Sequence, residues 1–209
     1  MKINEVYSAL SGEGVNVGLP MTLVRLYGCN LRCSFCDSKY SYTDSEYVER
    51  DVKDVFTTTP WKKLVLITGG EPLLQLSEVF ELVKHLRSKD ISVEVETNGS
   101  IAPPTWYNLV DSWSADIKCP SSGMCGKSRL DWLGMRRCDQ VKFVVATEDD
   151  LEFARKTVNG RRLEPTILIS PVYPWAAEWL KRCVTFCLQY DFRLSLQQHK
   201  IIFANRRGV

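Results

Sequence analysis

The sequence predicts an α/β fold, an open partial barrel of the (β/α)6 type with a mostly parallel sheet and reduced helices. Short apolar, strand-like runs alternate with segments of helical apolar spacing, the pattern of parallel βα units. Six or so such units are too few to close an eight-stranded barrel. The glycine-rich and polar motifs sit mostly at the C-terminal ends of the strand-like runs, where parallel barrels and open α/β sheets place their ligands. A chain of 209 residues that is 44% hydrophobic suffices for one substantial core, and a single domain over residues 1–209 is expected.

In order, residues 3–8 alternate apolar and polar and read as a short opening strand, broken by the two glycines of Ser8-Ala9-Leu10-Ser11-Gly12-Glu13-Gly14. Glycines there let backbone approach a ligand, and Glu13 could accept hydrogen bonds from an N–H-rich ring; an ordinary turn with an exposed Glu is the alternative. The run 21–27 reads as a buried strand carrying Arg25, which needs a partner: a ligand carboxylate or an internal salt bridge. Residues 39–60 are polar and suggest a weak helix or an excursion. A strand over 63–68 runs into Gly69-Gly70-Glu71-Pro72, whose backbone groups are free of side chains and suited to gripping an amino group. Ser77 is expected to cap a helix in which Val79, Leu82, Val83 and Leu86 follow helical spacing. Further strands are predicted over 92–96, ending in Thr97-Asn98-Gly99, over 112–118, 140–145 and 166–171, and a last short one over 193–196. A helix capped near Asp149 follows the strand at 140–145, and another spans about 175–190.

The chain is organised around Cys29, Cys33 and Cys36, three thiols spaced C-x3-C-x2-C on one short loop after the strand at 21–27. Soft thiolates select zinc, copper(I) or iron–sulfur clusters. A structural zinc site would want a fourth ligand at matching spacing, and no second C-x2-C exists. A four-iron cluster on three cysteines leaves one iron open to bind and polarise a small molecule. Three core cysteines, or two with a zinc knuckle, are the alternatives. Cys183 and Cys187, four apart on a helical pattern, read as small core hydrophobes, while Cys119, Cys125 and Cys138 are scattered and support no second cluster. The 27 basic and 25 acidic residues leave a formal charge of +2, so no long-range field argues for nucleic acid or a membrane. With no secretory leader and no run of eighteen apolar residues, a soluble cytoplasmic protein with reduced thiols is expected.

The cysteine loop and Gly69-Gly70-Glu71-Pro72 resemble the signatures of the radical S-adenosylmethionine (SAM) superfamily, in which the open iron chelates the amino and carboxylate groups of SAM. Ser11-Gly12-Glu13-Gly14, Arg25-Leu26-Tyr27-Gly28-Cys29, Cys36-Asp37-Ser38, Glu96-Thr97-Asn98-Gly99 and Gln198-His199-Lys200 are similar to those of the 7-carboxy-7-deazaguanine synthase family, from about residue 4 to the C-terminus. The resemblance implies a lyase that contracts 6-carboxy-5,6,7,8-tetrahydropterin to 7-carboxy-7-deazaguanine with loss of ammonia, toward 7-deazapurines of the queuosine and archaeosine type. It also implies a 4Fe-4S cluster on Cys29, Cys33 and Cys36, SAM as cofactor, and Mg2+ on the Ser38 hydroxyl. By the same resemblance Arg25 holds the substrate carboxylate, with Leu10, Ser11, Gly12, Glu13, Thr97, His199 and the terminal carboxylate of Val209 around the pterin. SAM falls to Phe35, Cys36, Asp37, Gly69, Gly70, Glu71, Gly99, Asp116, Ile117, Lys118 and Ser170. The partners implied are the small-molecule pterin, an electron donor such as flavodoxin or ferredoxin, and a second copy in a homodimer, with no nucleic acid or membrane. Ser11 and Ser38 stand where many relatives carry Gln and Thr, and Asp116-Ile117-Lys118 replaces a more usual Ser-Pro-Lys. The competing readings are a glycyl-radical-enzyme activating enzyme with the same cysteine spacing, and a non-enzymatic zinc protein.

Overall fold

Side chains that alternate along an extended chain give each strand two faces, and here both are used. The computed structural model describes residues 1–43 and 46–208. Among them, nine strands form one sheet: β1 (Lys2–Leu10), β2 (Pro20–Leu26), β3 (Val48–Glu49), β4 (Leu64–Gly69), β5 (Ser92–Thr97), β6 (Ser112–Asp116), β7 (Gln140–Val145), β8 (Thr166–Pro171) and β9 (Arg193–Leu194). Their order is β3-β1-β2-β4-β5-β6-β7-β8-β9, running from edge to edge without closing. From β2 through β9 every pair is parallel, while β1 pairs antiparallel with both β2 and β3. The expected open, mostly parallel sheet is present, with an antiparallel margin added at the N-terminal edge.

One face carries the main core. Val65, Ile67, Val93, Val95, Trp113, Ala115, Val141, Phe143 and Val145 are shut off from solvent there, in one cluster with residues of α3 (Leu76–Arg87), α4 (Glu148–Val158) and α5 (Ala177–Tyr190). Each large side chain so buried contributes about 1.5–3 kcal/mol. On α3 the buried residues are Val79, Leu82, Val83 and Leu86, the stripe that its spacing predicts. On α5 they are Cys183, Phe186 and Cys187, so these two cysteines serve as core hydrophobes. The opposite face is concave and mixed: a small apolar group of Met21, Leu23, Leu64 and Leu66 lies beside the buried polar residues Glu94, Ser114, Gln140 and Lys142.

Several boundaries differ from expectation. Ser77 does not cap α3, because a 3-10 turn over Pro72–Gln75 feeds directly into it and puts Gln75 at the cap position. The cap expected near Asp149 is Thr147, in a reciprocal capping box with Asp150. The polar stretch 39–60 holds α1 (Tyr40–Thr43), the short β3 and α2 (Val52–Thr58). β6 stops at Asp116, releasing Ile117 and Lys118 from the sheet, and β9 is only two residues long. The tail then forms α6 (Gln198–Phe203), which has no side-chain cap and no buried residue.

Candidate active site

A cavity of about 620 Å³ opens at the C-terminal ends of the parallel strands, and the loop after β2 brings Cys29, Cys33 and Cys36 to its wall. All three are free thiols of intermediate exposure. Cys29 Sγ accepts from the Leu31 N–H at 3.5 Å and from Asn98 Nδ2 at 3.7 Å. The loop is fastened below, where the Ser34 N–H donates to Ser122 O at 3.0 Å and its hydroxyl to Ser121 O at 2.7 Å. Burial pushes the Cys29 and Cys33 thiols above their ordinary range. Three thiols on one cavity wall fit the donor set of an iron–sulfur cluster, in which each thiolate binds its own iron. Among the described residues no three His, Cys, Asp or Glu side chains converge on a single ion.

The Gly-Gly turn after β4 is docked against this loop. The Gly70 N–H donates to Leu26 O at 3.1 Å and the Glu71 N–H to Gly28 O at 2.8 Å. A Cβ on Gly70 would lie 2.1 Å from Gly28 O and 2.8 Å from Cys29 Cβ, so only glycine permits the approach. Bare backbone therefore borders the thiols, as a site for a small zwitterion requires. Glu71 has another task. It is fully buried, and its carboxylate accepts from the Leu73 N–H (2.9 Å), the Thr97 hydroxyl (3.0 Å to each oxygen) and the Asn98 N–H (2.7 Å). It clamps the end of β4 to the end of β5, and burial pushes its carboxyl up to about 7.

Leu10, Ser11, Gly12, Glu13, Arg25, Thr97 and His199, expected around a substrate, all line the cavity. So do Phe35, Cys36, Asp37, Ser38, Gly69, Gly70, Asp116, Lys118 and Ser170. Glu71, Gly99 and Ile117 do not; they stand behind the wall, and Gly99 packs so closely on Asp116 that a Cβ would lie 2.5 Å from its carbonyl oxygen. Val209 lies outside the described residues. Of the two partners open to Arg25, the internal one is present: its Nε donates to Glu5 Oε2 at 3.1 Å, and Tyr40 and Arg207 donate to the same carboxylate.

Residues the sequence reading passed over complete the site. Asn98 reaches Cys29 and also donates to Asn30 Oδ1 at 2.9 Å; its place in the compact Thr97-Asn98-Gly99 turn was the available signal. Thr68 donates to Glu96 Oε2 at 2.8 Å, and both line the cavity. The tail folds back over the mouth: the Gln198 N–H donates to Gly12 O at 2.7 Å, Lys200 Nζ to Asp37 Oδ2 at 2.7 Å, and Gln197 Nε2 to the same oxygen at 3.1 Å. His199 packs on Gly12, where a Cβ would meet its Nδ1 at 2.2 Å, and burial lowers the pKa of its imidazole.

Comparison with known proteins gives this arrangement a class. Residues 23–111, from β2 through the cysteine loop to the start of β6, match the model of the radical SAM superfamily. The crystal structure of QueE from Escherichia coli superimposes with a TM-score of 0.73 over 95% of this chain and 94% of that one, a likeness of fold at 21% identity. The particular family follows from curated relatives. A 7-carboxy-7-deazaguanine synthase of Methanospirillum hungatei is 38% identical over 97% of this chain and 85% of its own length, and one of Koribacter versatilis is 34% identical over the whole of both. A third, from Leptospira interrogans, is 31% identical over 99% of this chain. The chain belongs to the 7-carboxy-7-deazaguanine synthase family, radical SAM lyases of 7-deazapurine biosynthesis.

Proposed function

We propose that this protein converts 6-carboxy-5,6,7,8-tetrahydropterin to 7-carboxy-7-deazaguanine and ammonia. The observation that carries the reading is the opening of the three thiols, the Gly69-Gly70 backbone and the Arg25 and Glu13 side chains onto one cavity. Cys29, Cys33 and Cys36 hold a 4Fe-4S cluster, and Gly69, Gly70, Phe35, Asp37, Asp116, Lys118 and Ser170 surround SAM. Bound together, these groups supply one-electron chemistry that begins by taking hydrogen from the substrate carbon bearing the carboxylate. The chain's own part is to hold that carbon in place and keep water out.

Arg25 faces the substrate carboxylate, oriented by its Nε bond to Glu5. Glu13 accepts from N–H groups of the pterin, with Leu10, Ser11, Gly12, Thr97 and His199 around the ring. The tail, fastened at Asp37 and Glu5, covers the mouth. Ser38 offers its hydroxyl to Mg2+, a hard cation that keeps further positions for substrate and water. The electron would come from a donor such as flavodoxin or ferredoxin, and the chain works as a homodimer. Among the described residues no helix is long and apolar enough to cross a membrane. The test is anaerobic reconstitution with iron and sulfide, then dithionite, SAM, Mg2+ and the pterin, following product by mass. Formation of 7-carboxy-7-deazaguanine with SAM recovered over many turnovers is expected; 5'-deoxyadenosine alone would leave the radical chemistry standing and remove the substrate.

A further inference from the structure

Lys142 lies on β7 between Val141 and Phe143, whose side chains enter the main core; its own points the opposite way, into the concave face, and is almost wholly buried. Its Nζ is 3.2 Å from Glu13 Oε2, 3.5 Å from Asp116 Oδ1 and 3.9 Å from Glu96 Oε1. Lys118 takes the other Asp116 oxygen at 2.6 Å. Three carboxylates thus share two ammonium groups, and Lys142 is the one that reaches all three. They come from three separate parts of the chain: the loop after β1, β5 and β6. The remaining charged neighbours are Glu94, one step deeper on β5 and held by Asn16 and Gln140 at 2.6 Å each, and, toward the mouth, His199 and Arg25.

We propose that Lys142 is a positioning residue for substrate recognition: its ammonium fixes the Glu13 carboxylate, so that this carboxylate meets the N–H edge of the heterocycle in one orientation. The inference rests on the pterin reading above. The loop carrying Glu13 is tied down just beyond it, where the Gly14 N–H donates to Ser195 Oγ at 3.1 Å and the Val15 N–H to Gln140 Oε1 at 2.9 Å. These bonds fix the backbone and leave the Glu13 side chain to be aimed. Among the described residues the ion pair recorded for that side chain is with Lys142. Burial opposes the charge on Lys142, yet Asp116, Glu13 and Glu96 together hold its pKa well above that of a free lysine. Without the ammonium, the three carboxylates keep Lys118, itself paired to Asp116 at 2.6 Å, as their nearest counter-charge. Repulsion then swings Glu13 away or loads a proton onto the trio. Both outcomes weaken substrate binding, and the second makes it depend on pH.

The experiment compares wild type, Lys142→Met, Lys142→Arg, Glu13→Gln and the Glu13→Gln/Lys142→Met double variant, all reconstituted with cluster. It reads KM and kcat for the pterin from pH 6.5 to 9, SAM cleavage without substrate, and the unfolding midpoint. Lys142→Met is expected to raise KM about tenfold or more with a smaller change in kcat and with SAM cleavage still measurable; the rise is steepest at low pH where a proton joins the trio and holds across the range where Glu13 swings away. Lys142→Arg, which keeps the charge, is expected to restore KM to within about threefold of wild type. In the Glu13→Gln background, Lys142→Met is expected to add no further increase. A wild-type KM with a flat pH profile in Lys142→Met, or a fall confined to kcat, would overturn the proposal. Wild-type enzyme that cleaves SAM but leaves the pterin untouched would instead remove the family reading beneath it. If Lys142→Met does not fold, Lys142→Gln carries the same comparison.

Discussion

Replacing Glu71 with Gln is expected to change how the stability of the fold responds to pH. The carboxyl is wholly buried and takes hydrogen bonds from Leu73, Thr97 and Asn98, yet burial dominates and raises its pKa from 4.5 to about 7. Between those two values the folded chain holds a proton that the unfolded chain has lost. Its contribution is therefore complete below pH 4.5 and disappears as pH rises through 7. A shift of this size corresponds to about 3 kcal/mol in full, of which about 2.5 kcal/mol falls between pH 5 and 8. Glu94, also raised to about 7, titrates in the same window, so the wild-type slope alone does not isolate Glu71. The difference between wild type and Glu71→Gln does. Urea unfolding of the cluster-free protein, under reductant at pH 5 and pH 8, should find wild type losing about 2.5 kcal/mol relative to Glu71→Gln. A difference that is the same at both pH values would refute the reasoning. Glu71→Ala should cost about 3–5 kcal/mol at pH 5, because it strands two buried N–H groups and a hydroxyl at once, and about 2.5 kcal/mol less at pH 8, where wild type has lost the contribution of the bound proton.

Other substitutions separate the parts of the site. Gly70→Ala, whose methyl would enter the Gly28 carbonyl and Cys29, should cut SAM cleavage by about tenfold or more in a chain that still folds, as read by 5'-deoxyadenosine release and circular dichroism. Gly12→Ala pushes on His199 rather than on the cysteine loop, so KM for the pterin should rise about tenfold while SAM cleavage persists. Arg25→Ala should raise KM further or abolish turnover, again leaving SAM cleavage measurable; wild-type turnover would remove its assigned role. Product formation should slow when Mg2+ is withheld, and Ser38→Ala should lose most of that dependence.

The strands and the thiol loop were legible because each depends on local pattern alone. Val65 and Ile67 or Val141 and Phe143 announce a buried face, and three cysteines at close spacing announce a soft ligand set. The concave face was not legible, for a definite reason. Val93-Glu94-Val95-Glu96 alternates just as a strand with one face in solvent does, yet in the fold both glutamates face the cavity. Lys142, Gln140 and Asn16 were hidden in the same way, since their partners lie far away in sequence. The short helix α6 lacked the caps and apolar stripe that mark helices in a sequence. Ser77 misled because it has the chemistry of a cap and sits two residues past the cap position Gln75, already inside α3, into which the turn begun at Pro72 feeds.

The charged lining of the concave face also constrains assembly. A shift of β7 by one residue against its neighbours would exchange Lys142 and Phe143, driving an ammonium into the core that holds Trp113 and Leu151 and leaving a phenyl ring facing Glu13 and Asp116. An apolar strand that slips finds another apolar surface and loses little, so a lining of valines would tolerate several alignments. Here every one-residue slip strands a charge in hydrocarbon. The same side chains that suit the cavity to a polar heterocycle act as a key against any slip that exchanges the faces of the parallel sheet, tying the accuracy of folding to the polarity of the site.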